Sequence, residues 1–407
     1  VDEKLDIRSF SWLKPDLSWA FVIYELTNAF DNLGCNSMVL STNGMDESYF
    51  DTPNKRNKSI AALEQFGPGK KSVFLDYCYT VAPNYSKRFL QNSKNRACVY
   101  NYETTIMPPA WKSLYDTIDY HFPSSNFCAE VFYRNGVPLE KIFVIPHGVN
   151  QRKFNKDVPP IKLRTKKAYK FLCVAAPHYR KNLDVLLDAY CQAFTADDNV
   201  CLVLKTKVYK HSDGIIGKDN PNGRQLYELC LGDLFKPLIK KYGKKMPEIE
   251  ILGGRVKNPA SVYNSCSCHV STTGGEGFFL PGLESQSCGG VDGKGIVNIV
   301  PRYSGHLDFM NENNALLINT KLRHATGQEQ YWGYDPKAVI GQPDLRYTVE
   351  LMRKAYKEHD SLVQKFKPEI ERIVNKFSWE NAAQMMIDVC NKKINHYIPD
   401  TYNYWPK

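Results

Sequence analysis

Apolar positions along the chain fall into short continuous runs, separated by stretches in which apolar and polar residues alternate at helical spacing. "SWAFVIYELTNAFDNLG" predicts a helix, with Asp16 or Ser18 to cap it and Gly34 to stop it. "CNSMVLST", "KSVFLDYCYT", "RACVYNYETT" and the shorter "IDYHFPSS" predict strands. "SNFCAEVFYRNGV" predicts a helix ending at Gly136, and "KIFVIPHGV" one more strand. "NQRKFNKDVPPIKLRTKKAYK" then interrupts the rhythm with a Pro-Pro step and a basic run, which marks a joint between domains. Beyond it come strand "YKFLCVAA", helix "LDVLLDAYCQAF", strand "NVCLVLKT", helix "RQLYELCLGDLFKPLIKKYG", strand "IEILGG", helix "NPASVYNS", strand "SCHVST" and strand "GIVNIVP". Strands separated by helices imply parallel, doubly wound sheets. The fold class is therefore α/β, with two such sheets in tandem and a cleft between them where ligands meet the carboxyl ends of strands.

Composition narrows the class. At 407 residues the chain is too long for one ordinary core, and 43% hydrophobic with 13% aromatic content excludes disorder. The expected division is 1–148, 149–390 and a tail, 391–407, that returns to the first domain. No apolar run approaches the roughly 20 residues of a membrane span, and "VDEKLDIRSF" has no signal-peptide character. The expected setting is the cytoplasm, free or peripheral to a membrane. The twelve cysteines sit inside apolar segments without a C-x-x-C pair, as buried thiols do. Cys266 and Cys268 share one face of a strand, so core thiols and a metal or redox pair are both readings of that spacing. Net charge is +10, with the surplus beyond residue 150. One earlier stretch is basic, from Lys55 and Arg56 through Lys87 and Arg88 to Arg96. It is either a solvated face or a surface for a polyanion, nucleic acid or anionic lipid headgroups.

The chemistry concentrates in "STTGGEGFFLPGLESQSCGG", residues 271–290. Glu276 and Glu284 stand eight apart, and Pro281 suits the first turn of a helix, so one carboxylate lies on the loop and the other in the first helical turn. The amides at that helix start can bind phosphate. Anion-binding amides flanked by two carboxylates fit a phosphate centre between hydroxylated rings, the shape of a nucleotide sugar.

"EGFFLPGLE" resembles the E-G-F-G-L-P-x-x-E signature of retaining nucleotide-sugar glycosyltransferases with the GT-B fold, the group that contains sucrose synthase. "VYNSCSCHVSTTGGEGF", "SSNFCAEVFYRNGVPLEKIFVIPHGVNQRKF", "YRKNLDVLLDAYCQAF" and "FSWENAAQMMIDV" resemble further segments of that family, so the resemblance runs from about residue 97 to 390. It implies that Glu276 meets the donor sugar and Glu284 the ribose. It puts the amides of Gly277, Phe278, Phe279 and Leu280 at the sugar or distal phosphate, and Arg180, Lys181 and Lys205 at the pyrophosphate. Arg255 and Val256 then border the base. Glu103, and more distantly His121, stand near the place of a first-domain contact to the reacting sugar or acceptor, and His147 shapes the junction. The chain departs from the pattern at Phe279, where the family has Gly, and in residues 1–33, which lack the family's glycine-rich turn.

The implied reaction is transfer with retention from a nucleoside-diphosphate sugar to a hydroxyl on a glycan, lipid or protein. The chain has no Asp-x-Asp, so no metal and no further cofactor is expected. Two other readings stay open: the same chemistry on a hydroxylated base of DNA, and a nucleotide-sugar binding module without turnover.

Overall fold

The computed structural model describes residues 4–11, 13, 18–41, 47–51, 72–79, 92–207, 231–326, 329, 334–400, 402, 403 and 405. Two compact units emerge. The first comprises Val1–Tyr102, Met107–Asn150 and Lys376–Trp405; the second comprises Glu103–Ile106, Gln151–Asn375 and Pro406–Lys407. Lys55, Arg56, Lys87 and Arg88 lie outside the described residues.

The first unit holds a five-stranded parallel sheet, order β2-β1-β3-β4-β5, built from β1 (Asp6–Ser11), β2 (Asn36–Ser41), β3 (Val73–Cys78), β4 (Ser93–Val99) and β5 (Tyr120–Phe122). Helix α1 (Ser18–Asn32) joins β1 to β2. It ends at Gly34, whose φ is +82°, and the Cys35 amide closes back on the Phe30 carbonyl at 3.0 Å, which satisfies one of the orphaned carbonyls of the last turn. Helix α2 (Asn126–Arg134) starts at Ser125, whose hydroxyl accepts from the Cys128 amide at 3.2 Å.

One strand of this unit went unread in the sequence, and one expected strand needs correction. Strand β1 carries polar residues at most positions, so no apolar run announces it. Arg8, Ser9 and Ser11 are nevertheless buried, and Arg8 pairs with Asp76 on the adjacent β3. "KIFVIPHGV" is extended but forms no strand. The Phe143 and Ile145 amides donate to the carbonyls of His121 and Pro123, but only the isolated bridge between His121 and Ile142 results. The closing helix (Trp379–Cys390), expected within 149–390, counts with the first unit, because Trp379 stacks on His147 at 5.5 Å and meets Phe21 edge-on.

The second unit holds a six-stranded sheet, order β11-β10-β9-β6-β7-β8: β6 (Tyr169–Val174), β7 (Val200–Lys205), β8 (Glu248–Leu252), β9 (Cys268–Val270), β10 (Val297–Pro301) and β11 (Leu316–Ile318). Every pairing is parallel. Helices α3 (Leu183–Ala193), α4 (Leu231–Tyr242), α5 (Ala260–Tyr263) and α6 (Leu280–Ser287) supply crossovers. The core is dominated by Phe171, Leu186, Leu187, Tyr190, Leu202, Leu204, Val297 and Ile299, all fully buried. Apolar residues on both sides of the sheet are what continuous strand runs require. A two-stranded antiparallel ribbon, β12 (Thr320–His324) with β13 (Val339–Pro343), follows β11 and leads to α7 (Leu345–Lys357) and α8 (His359–Lys376). No helix among the described residues is long and apolar enough to cross a membrane. Cys266 and Cys268 are buried thiols, pushed up by burial.

Candidate functional site

The strand order of the second unit reverses between β6 and β9: β7 and β8 extend to one side of β6, and β9, β10 and β11 to the other. Chains leaving the carboxyl ends of two such strands diverge to opposite faces and leave a crevice there. The β6 exit runs through a 3-10 turn, Tyr179–Lys181, to Asn182, which takes a left-handed φ of +47° and starts α3. The β9 exit is the Thr272–Phe279 loop that starts α6.

Hydrogen bonds lace these two exits together. Asn182 Nδ2 donates to the Thr272 carbonyl at 3.0 Å, and Thr272 Oγ1 donates to the Asn182 carbonyl at 2.9 Å. The Gly274 amide donates to the Arg180 carbonyl at 2.6 Å. The double glycine in "TTGGEGF" follows from this packing. A Cβ at Gly274 would lie 2.7 Å from the Gly341 carbonyl oxygen, and one at Gly275 would lie 2.3 Å from that of Glu103. Neither distance is tolerable, so no other residue fits either position.

At the centre, Lys181 Nζ is bonded to Glu276 Oε1, and Arg180 Nη1 stands 3.2 Å from Glu276 Oε2. Arg180 also donates to the Gly275 carbonyl, and its Nη2 meets Glu103 Oε1 at 3.2 Å. Two cations and two carboxylates thus form one chain. Burial alone would raise the Glu276 carboxyl, but Lys181 and Arg180 hold it down at about 2. The group is a fixed anion at neutral pH and cannot serve as a general acid there. Burial lowers the Lys181 ammonium against the pull of Glu276, whereas for Arg180 the carboxylates of Glu103 and Glu276 outweigh burial and raise it.

The Glu276 backbone is held as firmly as its side chain. Its N–H donates to Ser304 Oγ at 2.9 Å and its carbonyl accepts from the Gly305 amide at 2.9 Å. His306 Nε2 lies 2.6 Å from the Pro301 carbonyl, and burial pushes its pKa down to about 4. The ring is therefore neutral with its proton on Nε2, which leaves Nδ1 as an acceptor facing Ser304 Oγ at 3.5 Å. Sequence reasoning missed Ser304 and His306; the short "YSGH" after the β10 run was the available signal.

Phe279 occupies the position where the resemblance implied Gly, and it takes φ +88°. The backbone turn is thus kept by a residue for which it is strained, at a cost of about 1–2 kcal/mol. The ring is held in compensation, stacked on His269 at 5.6 Å and edge-on to His306 at 5.6 Å. Pro281 lies in the first turn of α6, as expected. Glu284 lies in the second turn rather than the first, with Oε2 accepting from the Tyr263 hydroxyl at 2.7 Å. Phe278 is buried against Phe309.

Lys205, the last residue of β7, donates to the Gly254 carbonyl at 2.6 Å. Arg255 and Val256 follow β8 in the same loop, so all three occupy the carboxyl edge of the sheet. His121, in the first unit, is wholly buried with Nδ1 at 3.0 Å from the Tyr100 hydroxyl, and has no surface to offer a ligand. His147 is buried beside Trp379.

No protein-family model and no curated protein sequence matches the chain. Solved structures do. A glycosyltransferase from Rickettsia africae superposes with a TM-score of 0.65 at 15% identity, over 96% of this chain and 99% of that one. Sucrose-phosphate synthase from Thermosynechococcus elongatus gives 0.62 at 14%, with coverages of 96% and 99%. The fold is GT-B. Anabaena HepE in complex with UDP-glucose gives 0.59 at 12%, over 95% of this chain and all of that one. At such identities the likeness is one of GT-B architecture, with each Rossmann-like unit recovered and residue roles left to the chemistry of the site.

Proposed function

We propose that this GT-B chain is a retaining glycosyltransferase that moves a hexosyl or pentosyl group from a nucleoside-diphosphate sugar to a hydroxyl of a glycan, glycolipid or protein. The observation that carries the reading is the Lys181–Glu276–Arg180 cluster at the strand-order reversal, beside the N-terminus of α6. Cleaving a sugar–phosphate bond develops charge on the departing diphosphate, and preorganised cations and N–H donors stabilise it. Lys181 and Arg180, with Lys205 and the amides of Gly277, Phe278, Phe279 and Leu280, would take that part without a metal. Glu284 would hold the ribose, and Arg255 with Val256 would border the base.

In the reaction the acceptor oxygen bonds to the anomeric carbon on the face that the diphosphate leaves. The carbon–oxygen bond to phosphate breaks, and the acceptor's proton passes to the departing phosphate oxygen. Glu276, ionised throughout, would orient the sugar and stabilise positive charge at the reacting carbon rather than shuttle a proton.

HepE was solved with UDP-glucose, which makes UDP and UDP-glucose the first ligands to test here. In a thermal-shift panel of nucleoside diphosphates and their sugars, one nucleotide should stabilise the protein by about 2.7 kcal/mol at a hundredfold excess over its dissociation constant. Its sugar should then be hydrolysed slowly or transferred. A panel without any stabilising nucleotide would sink the proposal, and binding without turnover on any acceptor would point to the non-catalytic module.

A further inference from the structure

The β12–β13 ribbon, with Glu329 and Tyr334 between its strands, has no part in the reading above, yet it is tied into the charged cluster. The Gly341 amide of β13 donates to the Gly274 carbonyl at 2.6 Å, and the Val339 amide donates to Thr105 Oγ1 at 2.9 Å. At the Val339 end of the ribbon, Arg323 forms a two-pronged pair with Glu329 at 2.6 and 2.7 Å, and Glu329 also accepts from the Thr326 amide at 2.9 Å. Tyr334, 7% exposed, follows, and its hydroxyl donates to Glu103 Oε2 at 3.2 Å. The other oxygen of Glu103 accepts from Arg180 at 3.2 Å. Arg180 in turn holds the Gly275 carbonyl and faces Glu276.

We propose that Tyr334 is a positioning residue: through Glu103 it fixes the Arg180 guanidinium, and so the loop that carries Glu276. Glu103 is then an anchor for Arg180 rather than a contact to sugar or acceptor. The physical need is plain. Arg180 is a long side chain whose Nη atoms face four oxygen-bearing groups at once, Thr273, the Gly275 carbonyl, Glu276 and Glu103, and a carboxylate held on one oxygen only can swing about its own torsions. A hydroxyl on the second oxygen removes that freedom, and a buried phenol loses little entropy in supplying it. The inference rests on the donor-site reading of Arg180, Lys181 and Glu276.

The test is a double-mutant cycle with two readouts on the full chain. Tyr334→Phe keeps the ring and removes only the hydroxyl; Glu103→Gln keeps shape and removes the charge. In thermal unfolding the two losses should fail to add, since both break one link. In turnover with the donor identified by the panel, each variant should lower kcat about tenfold with donor KM within about twofold, and the double variant should be no slower than Glu103→Gln alone. A packing role for Tyr334 would shift the melting temperature without that kcat-against-KM split. Additive thermal losses overturn the inference whatever the activity, as does Tyr334→Phe with unchanged kcat. Coupled thermal losses in a protein indifferent to every nucleotide sugar would uphold the link and overturn the donor-site reading instead.

Discussion

The two sheets of this protein solve one problem in opposite ways. Each reverses its strand order next to its first strand, between β1 and β3 in one unit and between β6 and β9 in the other, and each puts a cation–carboxylate pair there. In the first unit Arg8 and Asp76 are in register in mid-strand, 8% and 0% exposed, with Ser93 adding a bond to Asp76 at 2.9 Å. In the second unit the charges lie beyond the strand ends, and exposure rises outward from Glu276 at 9%, to Lys181 at 16% on one side and through Arg180 at 11% to Glu103 at 31% on the other. A pair enclosed within a sheet can only hold strands together. A pair at the carboxyl edge, with several partners each, can exchange one of them for a ligand.

The comparison predicts different costs of breaking each pair. Arg8→Ala leaves Asp76 buried without its cation and should destabilise the protein by about 3–5 kcal/mol in urea unfolding, while Arg8→Leu with Asp76→Leu should recover most of that. Lys181→Ala should cost less than half as much stability, because Arg180 still faces Glu276. Equal losses at the two sites would break the comparison. The smallest effect concerns Phe279. Replacement by Gly should leave the protein about 1 kcal/mol more stable than replacement by Ala, although Gly is the smaller residue, because only Gly takes the left-handed turn without strain. Ala and Gly variants of equal stability would mean that the turn stores no strain.

How much of this was legible in the sequence depended on where the polar groups are satisfied. Runs such as "YKFLCV" and "VCLVLK" are apolar because both faces of their sheet are covered, and they read directly as strands. Glu276 and Pro281 stood out because they fall within one short stretch, whereas Lys181, 95 residues from Glu276, was singled out only through the family resemblance. Strand β1 was not legible, since Asp6, Arg8, Ser9 and Ser11 find partners on or just beyond neighbouring strands: Asn36, Asp76, the Met38 carbonyl and the Tyr79 carbonyl. The ribbon escaped because β12 is mostly polar and mostly exposed, and the Tyr334–Glu103 bond joins residues 231 apart. Nothing local marks such a pair.

The most direct measurement is a calorimetric titration of the nucleoside diphosphate selected by the panel into wild type, Glu276→Gln and Lys181→Ala. Diphosphate must displace Glu276 from Lys181, so Glu276→Gln should bind it more tightly than wild type while losing about 10²–10³ in turnover, and Lys181→Ala should bind it more weakly. Equal affinity in all three, or turnover that survives the loss of either charge, would contradict the account.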